Sequence, residues 1–173
     1  MYLLRCAVVG LALTACQDEP ARSTGPTPPP PQQGVAAFVT VDNLTARVGQ
    51  TVRVRVEVQV GAQQNFKVGS FTGRLRFDPA RLRFRAENAI ADGLRVANAN
   101  NAAQGEIRFA GASPTGFSTL VLYDGTFEVT SANYAQNLQL AMEELSAALS
   151  LTNLSPQLRV NNTQVFLSRV ANR

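Results

Sequence analysis

The chain has 173 residues, of which 45% are hydrophobic and 16% charged, and its formal net charge is +4. This composition is typical of one globular domain with short attachments, and the charge falls short of the clustered basic footprint of a nucleic-acid binder. The chain has no histidine, which excludes the usual general base and the usual zinc ligand, and no tryptophan, the best stacking surface for sugars.

The first predicted element is an apolar N-terminal segment. Arg5 precedes an apolar run, residues 6–15, that is too short to span a bilayer and fits a secretory signal. The letters LTAC, residues 13–16, resemble the lipobox of bacterial lipoprotein signals, which implies cleavage before Cys16 and lipidation of its sulfur. An ordinary secretory signal that happens to contain a cysteine is the alternative. After cleavage Cys16 is the only cysteine, so no disulfide or cysteine-metal site is expected.

The second element is a spacer. Residues 16–34 comprise the cysteine expected to be lipidated and a segment rich in proline and small polar residues, which cannot bury a core and favours extended polyproline II. We interpret it as a semi-rigid spacer that holds a domain off the membrane; a PxxP recognition ligand is the alternative. Gln17 stands where inner-membrane lipoproteins often have aspartate, which favours a location in the cell envelope at the outer membrane, if the organism has one. The domain itself is expected at residues 35–170.

Apolar residues then recur with a period of two. The sequence TVRVRVEVQV, residues 51–60, alternates valine with polar residues and predicts a half-buried strand. Turn signals at residues 78–79, 92–93 and 104–105 favour an antiparallel sandwich. The other predicted strands are AFVTVDN (37–43), SFTGRLRF (70–77), ARLRFRAE (80–87), LRVAN (94–98), GEIRFAG (105–111), TLVLYDGTFEVT (119–130) and two short segments around Asn161 and Asn162 in PQLRVNNTQVFLS (156–168).

Two segments are ambiguous. Asp124 and Gly125 form a hairpin signal, yet the apolar residues on either side also fit one long strand with a bulge, which we prefer. Residues 138–150 carry leucine and methionine at helical spacing (Leu138, Met142, Leu145, Leu149), and their composition favours a helix. Leu138, Leu140 and Met142 also alternate, as a strand in an all-β domain requires.

No group of residues predicts catalysis, so we expect no enzyme activity, no cofactor and no metal site. Glu143 and Glu144 are adjacent and point apart on a strand. Asp78, Asp92 and Asp124 each precede proline or glycine, which is typical of turns. The arginines fit solvent-facing strand positions that keep a sheet soluble, or alternatively a basic face for an acidic partner.

A family resemblance rests on RLRFDPARLRF, residues 74–84. Cohesin domains of bacterial polysaccharide-degrading complexes carry a strand that ends in aromatic-Asp-Pro, followed by a small residue, any residue and leucine, and Phe77, Asp78, Pro79 and Leu82 match this pattern. The opening VTVDNLTARVGQTVRVRVEV and the closing LQLAMEELSA and PQLRVNNTQVFLS are also similar to cohesins. The resemblance covers roughly residues 36–168.

The resemblance implies an all-β, antiparallel jelly-roll sandwich of about nine strands, a strand at residues 138–142 and a short helical turn near residues 144–151. It also implies that the chain changes sheets at Asp78 and Pro79, which would place Arg74 and Arg76 on one side of the sandwich and Arg81, Arg83 and Arg85 on the other.

The resemblance further implies a binding function through one sheet face. Cohesins bind dockerins, which are calcium-loaded helical modules, so a protein partner connected with polysaccharide binding or degradation is expected. Strand alternation combined with the family topology places these residues on that face: Arg74, Arg76, Arg95, Glu106, Arg108 and Gln139. The alternatives are a carbohydrate-binding module of related fold and a structural envelope lipoprotein without a specific ligand. Contact with a membrane is expected only through the lipid anchor.

Overall fold

The computed structural model of the chain describes residues 34–62 and 64–167, which contain nine strands in two sheets and three short 3-10 helices, Ala102–Gln104, Tyr134–Asn137 and Ser155–Gln157. The strands are β1 (Val35–Val41), β2 (Thr51–Val60), β3 (Val68–Arg76), β4 (Leu82–Glu87), β5 (Leu94–Asn98), β6 (Glu106–Ala112), β7 (Val121–Val129), β8 (Gln139–Ala147) and β9 (Leu158–Leu167). The expected nine-stranded all-β sandwich is confirmed. The signal segment, Cys16 and the spacer up to residue 33 lie outside the described residues.

A five-stranded sheet with the order β4-β7-β2-β1-β9 packs on a four-stranded sheet with the order β5-β6-β3-β8. Neighbouring strands are antiparallel except β1 and β9, which run parallel with a register shift between Phe38 and Thr40. β9 is one strand through Asn161 and Asn162, so the expectation of two short segments there is wrong. Because of the shift in register, both ends of this one strand pair with β1: residues 158–161 with residues 35–38, and residues 166–167 with residues 40–41. In the described part of the chain, no helix is long and apolar enough to cross a bilayer.

The core lies between the sheets and follows from the alternation in the sequence. Four valines of β2 point into it and are at most 1% exposed: Val52, Val54, Val56 and Val58. Aromatic rings fill the space between the sheets: Phe77 meets Phe127 edge-on with ring centroids 5.1 Å apart, and Tyr123 stacks on Phe109 at 5.7 Å. Burial of such side chains is the main stabilising contribution to a sandwich of this size.

The turn at Asp78 carries the chain from one sheet to the other. The backbone N–H groups of Arg81 and Leu82 both donate to the carbonyl of Asp78 at 2.9 Å, and the N–H of Ala80 donates to its side chain at 2.9 Å. β3, before the turn, belongs to the four-stranded sheet, and β4, after it, belongs to the five-stranded sheet. The predicted change of sheet at Asp78 and Pro79 is therefore confirmed.

Both ambiguous segments are strands. β7 runs without a hairpin through Asp124 and Gly125, as preferred from the sequence. β8 runs to Ala147, so the short helical turn expected near residues 144–151 is absent and residues 148–150 form a non-helical turn. A register shift against β3 between Met142 and Glu144 explains the helical spacing, because the extra residue lets both Leu140 and Leu145 face inward.

Candidate protein-binding face

The outer surface of the four-stranded sheet, called here the outer face, is built by alternate residues of four strands. Pairing with β6 and β8 sets each position of β3 beside its neighbours, so Arg74 lies next to Arg108 and Ala141, and Arg76 lies next to Glu106 and Gln139. The register of β5 against β6 continues these rows to the edge of the sheet. The members of the outer face are Leu94, Val96, Asn98, Glu106, Arg108, Ala110, Ala112, Ser70, Thr72, Arg74, Arg76, Gln139, Ala141, Glu144 and Ser146.

One half of the outer face is charged. Glu106 accepts a hydrogen bond from Arg108 Nε at 3.1 Å and another from Arg76 Nε at 3.2 Å, which hold the pKa of its carboxyl below the usual range. Arg74 pairs with Glu143, the extra residue in the β8 bulge. Two arginines share one carboxylate, and the side chains of Arg76 and Arg108 are 57% and 60% exposed. This half therefore carries excess positive charge in solvent.

The other half is apolar. Leu94 and Val96 of β5 are 68% and 58% exposed, and Ala110 and Ala112 lie beside them on β6. These residues help to line a shallow depression of about 220 Å³. At its far side Glu144 accepts a hydrogen bond from Ser70 Oγ at 3.0 Å. Exposed aliphatic side chains next to solvent-exposed arginines form the mixed surface that protein partners bind.

Comparison with known structures assigns this arrangement to a fold. The sixth cohesin of scaffoldin B from Acetivibrio cellulolyticus, solved in complex with a Cel5 dockerin mutant, is 15% identical to this chain. The match covers 79% of this chain and 100% of that chain, with a TM-score of 0.58. A non-cellulosomal cohesin from the archaeon Archaeoglobus fulgidus is 17% identical, with 78% of this chain and 91% of that chain covered and a TM-score of 0.55. The chain has the cohesin fold.

A third cohesin, the seventh ScaB type I module of Pseudobacteroides cellulosolvens, is 17% identical over 80% of this chain and 95% of that one, with a TM-score of 0.52. No protein-family model and no curated protein matches the sequence. The fold is thus shared at a level of sequence identity at which individual residues have diverged, and the outer face of this cohesin fold has to be understood from its own side chains.

Arg95 is not part of the outer face, which corrects the expectation from the sequence. It pairs with Gly111, on the inward row of the sheet. Its guanidinium lies 4.2 Å from the ring centroid of Phe117, and its Nη2 donates to Thr119 Oγ1 at 3.2 Å. Burial lowers the pKa of Arg95. The residue therefore closes the margin of the sandwich with a cation–π contact.

The other five predicted positions do lie on the outer face: Arg74, Arg76, Glu106, Arg108 and Gln139. Sequence reasoning missed Leu94 and Val96, because alternating aliphatic residues in a strand normally face the core. The only sequence signal that Leu94 and Val96 face outward was the small Ala97, which faces inward and pairs with the core residue Phe109. Whether these side chains contact a partner remains a prediction.

The opposite sheet has an ionic cluster of its own. Asp124 is 4% exposed and accepts hydrogen bonds from Arg53 Nε at 2.8 Å, Arg55 Nε at 2.7 Å and Asn88 Nδ2 at 2.7 Å. The interpretation of Asp124 as a turn residue is therefore wrong. The cluster fixes residue 88, just after β4, against the middle of β7, so it serves the fold and leaves no free group for a ligand on Asp124.

Asp92 has a structural role as well. Its carboxylate accepts hydrogen bonds from the N–H and Oγ of Ser118 and from the N–H of Thr119, the last at 3.1 Å. The bond from Thr119 is the largest cause that lowers the pKa of this carboxyl. Asp92 thereby joins the β4–β5 loop to the β6–β7 loop. Within residues 34–62 and 64–167, no group of three or more histidine, cysteine or acidic residues is placed to hold a metal ion.

Proposed function

We propose that the domain is a non-enzymatic binding module that holds a protein partner on the outer face. The observation that carries the proposal is the exposure of Leu94 and Val96, at 68% and 58%, on a sheet surface that no other described element covers. Burial of these two side chains in a complex would be favourable, since each exposes much of its apolar area to water.

The partner is proposed to be a dockerin-like helical module. Two of the similar cohesin structures, both with modules from Acetivibrio cellulolyticus, are complexes that contain a dockerin. A helix laid across the sheet would cover the apolar half with aliphatic side chains, and acidic side chains at its other end would meet Arg76 and Arg108. Calcium would belong to the partner, and a connection with polysaccharide binding or degradation is part of the same proposal.

Anchoring to the cell envelope completes the proposed function. The lipobox-like LTAC supports lipidation of Cys16, and the outer membrane is the proposed location. A carbohydrate-binding module has less support, because the two tyrosines considered for sugar stacking, Tyr123 and Tyr134, are 1% and 3% exposed. Their rings form part of the core and of the loop packing, where a sugar cannot reach them.

The test is capture of partners from the secreted proteins of the source organism, with and without EDTA. We expect a calcium-dependent partner that the Val96→Glu variant fails to capture, while the Val48→Glu variant captures it normally. Val48 is 65% exposed in the β1–β2 loop, away from the outer face, so both substitutions place a charge at an exposed position. Equal capture by both variants would contradict the proposed site, and capture unaffected by EDTA would contradict the dockerin class.

A further inference from the structure

One end of the sandwich, called here the exit end, is where the N-terminal segment joins the domain. The N–H of Gly61 donates to the carbonyl of Gly34 at 2.9 Å, just before β1. The neighbouring connections meet at the same end: Phe117 N–H donates to Val68 O and Ala148 N–H donates to Lys67 O, both at 2.8 Å. The exit end is therefore formed by Gly34 and by residues 61–62, 64–67, 88–93, 113–120 and 148–157, since Asp92 of the β4–β5 loop is hydrogen-bonded to Ser118 and Thr119.

Two leucines protrude from the exit end in an unfavourable backbone conformation. Leu149 and Leu151 are 84% and 79% exposed, and their φ angles are 63° and 53°, in the left-handed region that glycine adopts most readily. An aliphatic residue at either position costs conformational energy and gains no burial within the domain. Strain of this kind, kept in a loop with exposed apolar side chains, is typical of a segment selected for a contact outside the domain.

The charge of the exit end is also distinctive. Its described residues carry one carboxylate, that of Asp92, and Lys67 is the only lysine of the chain. Leu149 and Lys67 line one groove there. The carboxylate of Asp92 accepts hydrogen bonds from Ser118 and Thr119, and the neighbouring Arg95 also donates to Thr119. An apolar loop tip beside Lys67, at an end whose one carboxylate is already hydrogen-bonded, matches the chemistry of an anionic phospholipid surface.

We infer that the exit end is a membrane-contact surface on which Leu149 and Leu151 enter the headgroup region of an anionic bilayer beside Lys67. The inference rests on the proposed anchoring at Cys16. Two leucines bind a bilayer weakly alone, but a tether that leaves from the same end keeps them at a high local concentration near lipid. Residues 17–33 would span at most about 50 Å as extended polyproline II, at about 3.1 Å each. A tether of this length keeps the exit end close enough to the bilayer for the contact to form. A protein docked on the two leucines is the competing occupant.

Tryptophan fluorescence tests the contact without background, because the chain contains no tryptophan. The probe is the chain from Cys16 onward, coupled through its only cysteine to a maleimide lipid in vesicles of phosphatidylethanolamine and phosphatidylglycerol. We expect the emission of the Leu151→Trp variant to shift to shorter wavelength on coupling and to be quenched by brominated lipid. The Val48→Trp variant should show neither effect, since Val48 lies at the other end of β2, about 30 Å away.

A second substitution separates membrane contact from a structural role. Leu149→Gly in the Leu151→Trp background removes one apolar side chain and relieves a left-handed leucine. We expect it to raise the unfolding midpoint and to abolish most of the quenching by brominated lipid. A lower midpoint, or unchanged quenching, would contradict the inference.

Three results would overturn the inference outright: no response of Leu151→Trp to vesicles, equal responses of Leu151→Trp and Val48→Trp, or a Leu149→Gly variant that loses partner capture without any effect on vesicles. The last result would assign the loop to a protein interface. Chemical coupling makes these outcomes independent of lipidation in the cell. Anchoring is tested separately by flotation of membranes that carry the wild type or the Cys16→Ala variant, and equal flotation would contradict anchoring alone.

Discussion

The side-chain amide of Asn162 on β9 makes both hydrogen bonds that a neighbouring strand would make to Leu140 on β8. Its Nδ2 donates to the carbonyl of Leu140 at 2.9 Å, and its Oδ1 accepts from the N–H of Leu140 at 2.6 Å. Thr152 and Leu154 pair with the far end of the same edge, through bonds of 2.9 and 2.8 Å to Ala147 and Leu145. The β8 edge of the outer face is thus covered at both ends, which protects it from unwanted pairing.

Replacement of Asn162 by alanine should lower the free energy of unfolding by about 1–2 kcal/mol, because two hydrogen bonds to one backbone unit are lost. Urea unfolding measures the change, and amide hydrogen exchange should show faster exchange at Leu140. Asn100→Ala is the matched control, since Asn100 lies in an exposed loop without a side-chain hydrogen bond. A loss of the same size in the control would show that the effect does not come from the β8 edge.

The Asp124→Asn variant should be destabilised by about 2–4 kcal/mol, because Arg53 and Arg55 would lose the ionised acceptor at a buried position. Chemical denaturation gives the value. Glu128→Gln on the same strand is the control, since its pair with Arg85 is more exposed and should contribute less than about 1 kcal/mol. Similar losses in the two variants would contradict a special role for the Asp124 cluster.

Replacement of Tyr123 by phenylalanine should leave stability unchanged or raise it by about 1 kcal/mol. The hydroxyl of Tyr123 is buried without a hydrogen-bond partner, and burial raises the pKa of this phenol. The thermal unfolding midpoint is the measurement. A clear decrease would show that the hydroxyl forms a stabilising hydrogen bond in solution and would contradict this prediction.

The stability contributed by Asp92 should depend on pH. Its pKa is lowered in the folded state, so its contribution is present above the unfolded pKa of about 3.9 and disappears as the pH falls through the folded value. The stability difference between the wild type and Asp92→Asn should therefore be largest near neutral pH and shrink below pH of about 4. Urea titrations at several pH values give this difference, and a difference independent of pH would exclude the carboxylate as the source.

Charge reversal on the outer face should weaken partner capture. We expect Arg108→Glu to reduce affinity several-fold, or by about 1 kcal/mol, since Arg108 is 60% exposed and shares Glu106 with Arg76. Arg83→Glu provides the control, because Arg83 lies on β4 in the opposite sheet and is exposed. Titration of the captured partner at two salt concentrations measures both effects. Equal losses would indicate non-specific attraction to a basic protein.

Local sequence patterns predicted the structure correctly where a pattern is compatible with only one backbone conformation. The strict alternation of residues 51–60 allows only a half-buried strand, and Asp78 and Pro79 fix a turn because proline sets φ and the aspartate side chain closes the turn on itself. Five of the six side chains expected on the outer face lie there for the same reason, since a strand presents alternate residues to one side.

Tertiary structure decided the orientation of β5, the register of β8 and the continuity of β9. In LRVAN, residues 94–98, local hydrophobicity favours Leu94 and Val96 in the core, yet pairing with β6 places Ala97 beside Phe109 and turns both aliphatic residues outward. In β8 a bulge against β3 produced the spacing of a helix. By itself the sequence determined the strands with clear alternation, such as β2, and the turn at Asp78 and Pro79. Which face each strand presents depends on partners distant in sequence, because a shift of one residue in register exchanges the two faces.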